Sequence, residues 1–260
     1  MNPPATGSSF TDLQKKARLR LIRMHFESNA GHLGGNLSSI DIMLCLYHQT
    51  LKLNDVFILS KGHAAGALYT TLWTVGKLTE EDLSTFHKDG TILSGHPPVN
   101  RFPEIKFATG SLGHGFSLAA GIAMAKKIKE ETGRVFCLTS DGEWNEGSCW
   151  EALIFSKHQK LNNLTLIVDA NGLQGFGTTK EVANLDSMAE KFKSFNIPVA
   201  EINGHDITSI TKALEPKNEF NVVIAKTIKG KGVSFMENKM EWHYLPLKDN
   251  QYNHALRELS

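Results

Sequence analysis

Five short runs rich in β-branched and apolar residues recur along the chain, separated by stretches with helical spacing. They are VFILS (56–60), VFCLT (135–139), LTLIVD (164–169), IPVAEI (197–202) and NVVIAKTI (221–228). Their apolar residues are largely consecutive instead of alternating, so both faces of each run need cover. Such runs, alternating with helices, indicate a parallel sheet with helices on both faces, an α/β fold. Helices are expected over 12–28, with Leu13, Ala17, Leu21 and Met24 on one face, and over 38–51, with Ser38 or Ser39 as the N-cap. Further helices are expected over 68–75, 117–130, 149–160 and 188–195. No repeat or Pro/Gly/Ser linker divides the interior. The chain reads as a flexible tail over 1–9 and a single domain over 10–260.

Composition narrows the function classes. The chain has 260 residues, enough for a sizeable core, and its net charge is +1, from 28 basic and 27 acidic residues. That balance leaves no electrostatic footprint for nucleic acid or an anionic membrane. No apolar run approaches the roughly 20 residues a membrane helix needs. Cys45, Cys137 and Cys149 form no CxxC pair and read as reduced thiols. A cytoplasmic protein is the expectation.

The strand ends carry the functional signal. The five runs lead into Lys61-Gly62-His63, Ser140-Asp141-Gly142, Ala170-Asn171-Gly172, Asn203-Gly204-His205 and Lys229-Gly230-Lys231. In open parallel sheets, ligands bind outside the carboxyl ends of the strands. Five ends bearing glycine and a polar group point to one shared site. His32, His63, His96, His114 and His205 all adjoin glycines, which suits exposed turns more than helix faces.

Asp141 and Asn171 lie 30 residues apart, each at a strand end. A crossover of that length returns the chain to the same sheet edge, so a carboxylate and an amide oxygen can converge. Hard oxygen ligands suit Mg²⁺ or Ca²⁺ sharing its shell with phosphate oxygens. Zinc spacing is absent, as are GxxxxGK[ST] and GxGxxG. The stretch TSDGEWNEG (139–147) also crowds three carboxylates, Asp141, Glu143 and Glu146, at the end of a strand.

These residues resemble a known family. SDGEWNEGSCWEAL (140–153), followed by DANGLQG (169–175), is similar to the thiamine diphosphate motif of transketolases, with Ser140 at the first glycine of the usual GDG. NAGHLGG (29–35), LSKGHAAGALY (59–69), SGHPP (94–98), TGSLGHG (109–115), INGHDI (202–207) and KTIKGKGVSFMENKMEWH (226–243) continue the resemblance in order. It implies the thiamine diphosphate-binding fold, specifically the N-terminal, diphosphate-type domain. Asp141, Asn171 and the Leu173 carbonyl would hold Mg²⁺. Gly142, His63 and His205 would contact the diphosphate, and Gly110 and Leu112 would line the aminopyrimidine and thiazolium region. His32, His63, His96 and His205 would surround the sugar. Glu146 would face a partner's cofactor-activating region, and Glu143 would be solvated or lie behind the cofactor ligands. His243 lies in a segment that reaches the site in relatives.

In full-length relatives a second α/β domain supplies the glutamate that activates the aminopyrimidine. The resemblance therefore implies a half-enzyme completed by a separate C-terminal, pyrimidine-binding subunit, as a heterotetramer. The expected activity is transfer of a two-carbon ketol unit from a ketose or ketose phosphate to an aldose. Two alternatives stand beside it: an acyloin-forming enzyme of the deoxyxylulose-phosphate-synthase type using pyruvate or an unusual sugar, and a non-catalytic regulatory subunit. The segments TGSLGHGFSLAAGIAMA and SCWEALIF, apolar and rich in small residues, fit either an interface or ordinary packing. Trp144 and Trp150 fit either role too.

Overall fold

The computed structural model describes residues 9–99 and 101–260, so the expected tail lies outside the described residues except for Ser9. Ser9 caps the first helix, α1 (Phe10–Glu27): its hydroxyl accepts from the Asp12 amide while the Asp12 carboxylate accepts from the Ser9 amide. This reciprocal box satisfies two amides that a helix start otherwise leaves unpaired.

The five apolar runs form five strands: β1 (Val56–Leu59), β2 (Val135–Ser140), β3 (Leu164–Ala170), β4 (Val199–Asn203) and β5 (Asn221–Lys226). Every pairing is parallel, in the order β1-β2-β3-β5-β4. Alternate side chains serve opposite faces. Phe57, Leu59, Phe136, Leu138, Ile167 and Val223 join the core under α1, α2 (Leu33–Cys45) and α3 (Ala65–Thr74). Ile58, Cys137, Leu166, Val168 and Ile224 join a second core under α5 (Gly115–Ile128), α6 (Gly147–His158) and α8 (Met188–Ser194). Trp144 is fully buried in that second core, which settles it as a packing residue. Small helices α4 (Glu80–Ser84), α7 (Thr179–Val182) and α9 (Ile207–Ala213), and the longer α10 (Asp249–Leu259), complete the chain. Among the described residues no helix is long and apolar enough to cross a membrane.

The start of α2 departs from expectation. The helix begins at Leu33, after His32 in a left-handed conformation (φ 64°), so neither Ser38 nor Ser39 caps it. Both serines sit inside and donate to the Gly35 carbonyl, at 3.0 and 2.9 Å. Every residue of α2 is buried. A helix apolar or buried all round has no polar face to mark its phase or its ends.

Candidate active site

Adjacent parallel strands place the ends of β2 and β3 side by side, with Ser140 opposite Asp169. Ser140 ends β2 without a positive φ, so a side chain is tolerated there. Asp141 follows, 5% exposed. Its carboxylate accepts from the Gly142 amide at 2.8 Å and from the Gly172 amide at 2.6 Å. The second bond ties it to the turn after β3. In that turn the Asn171 side-chain oxygen accepts from the Leu173 amide at 3.0 Å. A carboxylate, an amide oxygen and the Leu173 carbonyl thus share one turn. Burial, then the nearby Asp169 charge, pushes the Asp141 carboxyl up to about 6. Its direct partners are backbone amides, and Lys61 and Lys229 act on it only at a distance, so the carboxylate can take a cation directly. Among the described residues no cluster of three His, Cys, Asp or Glu side chains could hold a metal, so an ion here would take mixed oxygen ligands.

Two buried lysines lie behind this turn. Lys61 and Asp169, each fully buried, form an ion pair between the ends of β1 and β3. Asp169 also accepts from Ser38 at 2.6 Å and from the Thr227 hydroxyl. Burial opposes its charge, but Lys61 and these hydroxyls outweigh that and hold the carboxyl below its usual range. Lys229, after β5, is 1% exposed. Its ammonium donates to the Leu173 carbonyl at 3.1 Å, the Gln174 carbonyl at 3.3 Å and His243 Nδ1 at 3.0 Å. Burial, then Lys61, pulls its pKa down to about 8. Because His243 Nδ1 accepts, Nε2 carries the ring proton and is available as a donor.

Histidines converge in front of the lysines. The His32 ring lies 5.7 Å from His63, 6.1 Å from His96 and 5.1 Å from His243, centroid to centroid. Burial is the first cause that lowers the pKa of His32, His63 and His96, and it takes His243 down to about 3. These rings are therefore neutral near neutrality. Asn36 fixes two of them by donating to the carbonyls of His32 and His63, at 2.8 and 3.0 Å. The Tyr69 hydroxyl donates to the His96 carbonyl at 3.2 Å. The glycines of NAGHLGG make the convergence possible. A Cβ on Gly34 would press on Trp242 and Lys229, and one on Gly35 would touch the His63 ring at 3.4 Å.

Glu143 is fully buried, which excludes the solvated reading and leaves the one that puts it behind the cofactor ligands. Its carboxylate accepts from the Ser60 hydroxyl, from the Gly113 amide at 2.9 Å and from the Ser140 amide at 3.2 Å. It therefore braces the loop 109–114, with its oxygens taken up by these three donors. Gly110 and Leu112 in that loop are half-buried, and Gly110 abuts the His96 ring, leaving 3.2 Å for a Cβ. Gly113 has φ 85°, and a Cβ there would strike Ser148 and Glu146 within 2.7 Å. Glu146, at the start of α6, is exposed, as is His114.

His205 is not brought into the cluster. Its Nδ1 lies 2.8 Å from the buried Asp41 carboxylate, and its Nε2 accepts from the Ile228 amide at 2.9 Å. Both nitrogens are spent, with the proton on Nδ1. Asp41 also takes a bidentate pair from Arg18, 2.9 and 2.5 Å, and a bond from Gln14 at 2.8 Å. A diphosphate contact from the His205 ring is not available in this arrangement.

Sequence reasoning missed Lys61, Asp169, Lys229 and Ser38 as members of the site. The two lysines were visible beside strand-end glycines. Nothing in the sequence signals that Ser38 points from a helix interior to Asp169.

Comparison with known proteins places this arrangement. Residues 13–259 match the family described as "Transketolase, thiamine diphosphate binding domain". The chain is 38% identical to an apulose-4-phosphate transketolase subunit of Phocaeicola vulgatus, over 95% of this chain and 92% of that protein. It is 34% identical to human transketolase over 95% of its own length but only 41% of the human chain. The transketolase of Campylobacter jejuni superimposes with a TM-score of 0.87 at 29% identity, covering 97% of this chain and 43% of that one. The sheet, its strand-end site and these matches together make the chain a member of the transketolase family, carrying its thiamine diphosphate-binding domain.

Proposed function

We propose that this chain is the diphosphate-binding subunit of a two-chain, thiamine diphosphate- and Mg²⁺-dependent transketolase that moves a two-carbon ketol unit between sugars. The observation that carries the reading is the buried Asp141 carboxylate, bonded directly only to backbone amides and tied to the Asn171–Leu173 turn, beside the cluster of neutral histidines. Asp141, the Asn171 side-chain oxygen and the Leu173 carbonyl are the proposed ligands of the ion. Gly142 and Lys229 are the proposed contacts of the diphosphate, which would exchange their present bonds to Asp141 and to the Leu173 and Gln174 carbonyls for its oxygens. When bound, the cofactor supplies a nucleophilic carbon that carries the ketol unit.

This chain's own part is to bind, orient and move protons. Neutral His32, His63 and His96 can accept a proton from a sugar hydroxyl, and Nε2–H of His243 can donate to a sugar oxygen. Lys61 and Lys229 favour the neutral state of these rings, because a second positive charge beside them is costly. The exposed Glu146 is the proposed contact with the second subunit. The proposal of a second subunit is supported by the word subunit in the name of the Phocaeicola protein, of which this chain covers 92%, against 41% of the human enzyme.

The test is reconstitution with a candidate C-terminal, pyrimidine-binding subunit. The pair should transfer ketol units from ketose phosphates to aldoses only with thiamine diphosphate and Mg²⁺, and each chain alone should be inactive. High turnover by this chain alone would sink the two-chain reading, and pyruvate consumption with no ketol transfer would replace the reaction.

A further inference from the structure

Tyr244 stands in the mouth of the histidine cluster, and none of the chemistry above uses it. It follows His243, at the end of the short helical turn Met240–His243. Its ring centroid lies 4.6 Å from that of His243 and 6.4 Å from that of His32. Two glycines make room for it. A Cβ on Gly31 would collide with the Tyr244 carbonyl, and a Cβ on Gly175 would collide with its phenol oxygen. The backbone of Tyr244 is therefore seated on the loop that carries His32. Its phenol end lies on the loop that follows Leu173. The residue spans the gap between the proposed sugar-binding and ion-binding loops.

Packing does not account for it. Tyr244 is 50% exposed and belongs to neither hydrophobic core. Its hydroxyl has no hydrogen-bond partner among the described residues and lies against Gly175. A half-exposed ring flanked by two site histidines, with an uncommitted hydroxyl, is placed for a ligand. A phenol hydroxyl both donates and accepts, which suits a sugar hydroxyl. A phosphate instead draws charged donors.

We propose that Tyr244 is a specificity-determining residue: its hydroxyl bonds a hydroxyl of the ketose donor beyond the transferred two carbons, and its ring walls the substrate channel. The assignment rests on the transketolase reading and deepens it. The experiment compares wild type and Tyr244→Phe, each assembled with the second subunit, cofactor and Mg²⁺. Two donors are used: a ketose phosphate, and hydroxypyruvate, which has no hydroxyl beyond the ketol unit. Loss of one hydrogen bond should raise KM for the ketose about tenfold while kcat stays within about twofold. KM for hydroxypyruvate should not change. Unchanged KM for the ketose overturns the assignment alone, as does an equal rise for both donors, which marks a purely structural strap. Absence of ketol transfer by the wild-type pair overturns the functional reading and this assignment with it.

Discussion

Glu143 accepts a hydrogen bond from the Gly113 amide at 2.9 Å, and so fastens the loop 109–114 to the end of β2. The same carboxylate takes the Ser140 amide and the Ser60 hydroxyl, so one side chain joins two strand ends and a loop. All three partners donate, which an ionised carboxylate satisfies, although burial raises its pKa. Glu143→Ala strands two buried amides and should cost about 2–5 kcal/mol of stability. Glu143→Gln retains an acceptor oxygen and should cost less. Urea unfolding measures both. Equal, negligible losses would remove Glu143 as the brace.

Asp141→Asn keeps the shape and one of the two acceptor oxygens but removes the charge that the ion is proposed to meet. Mg²⁺-dependent binding of thiamine diphosphate should weaken at least about 100-fold, or about 2.7 kcal/mol. Isothermal titration with and without Mg²⁺ decides it. Wild-type affinity in the variant would refute the ion assignment.

His205 and His63 should separate cleanly. His205→Ala removes a partner of the buried Asp41 and should lower stability by about 1–3 kcal/mol, with KM and kcat of the assembled pair little changed. His63→Ala lies in the cluster and should lower kcat at least about tenfold with the fold retained. Thermal unfolding alongside kinetics gives both readouts. A large loss of kcat in a stable His205→Ala would restore that ring to the site.

The contrast between these two histidines shows what the sequence could and could not convey. All five strands were legible, four because consecutive apolar residues in a short run require cover on both faces, while β4, at the sheet edge, is only half-covered. The juxtaposition of Asp141 and Asn171 was legible too, since a crossover of fixed length returns to the neighbouring strand. Ring direction was not. His63 and His205 both follow strand ends beside glycine, yet one turns toward His32 and the other toward Asp41, a residue on α2. Lys61 and Asp169 were equally opaque: a buried pair neutralises its charge only through an encounter 108 residues apart in the chain. Ser38 read as a cap because serine favours that position, while the helix runs on through Gly34 and Gly35, which are packed closely against Lys229, Trp242 and His63.

Acid should destabilise the protein partly through His25. This ring is 2% exposed beneath the site, against Gly66 and 5.1 Å from the Phe86 ring. Burial lowers its pKa from 6.5 to about 4. Between those values the unfolded chain binds a proton here that the folded chain refuses. More protons on the unfolded state means stability rises with pH. The contribution is fully present above pH 6.5 and is lost as pH falls toward 4. Its full size is of order 3 kcal/mol, because each pH step of one between the two values is worth about 1.4 kcal/mol. His25→Gln removes the titration, so its stability should fall less steeply across that window, even if lower at pH 7. Urea midpoints of both proteins at pH 7, 6, 5 and 4.5 measure the slopes. Parallel slopes would show that His25 takes no part in the acid sensitivity.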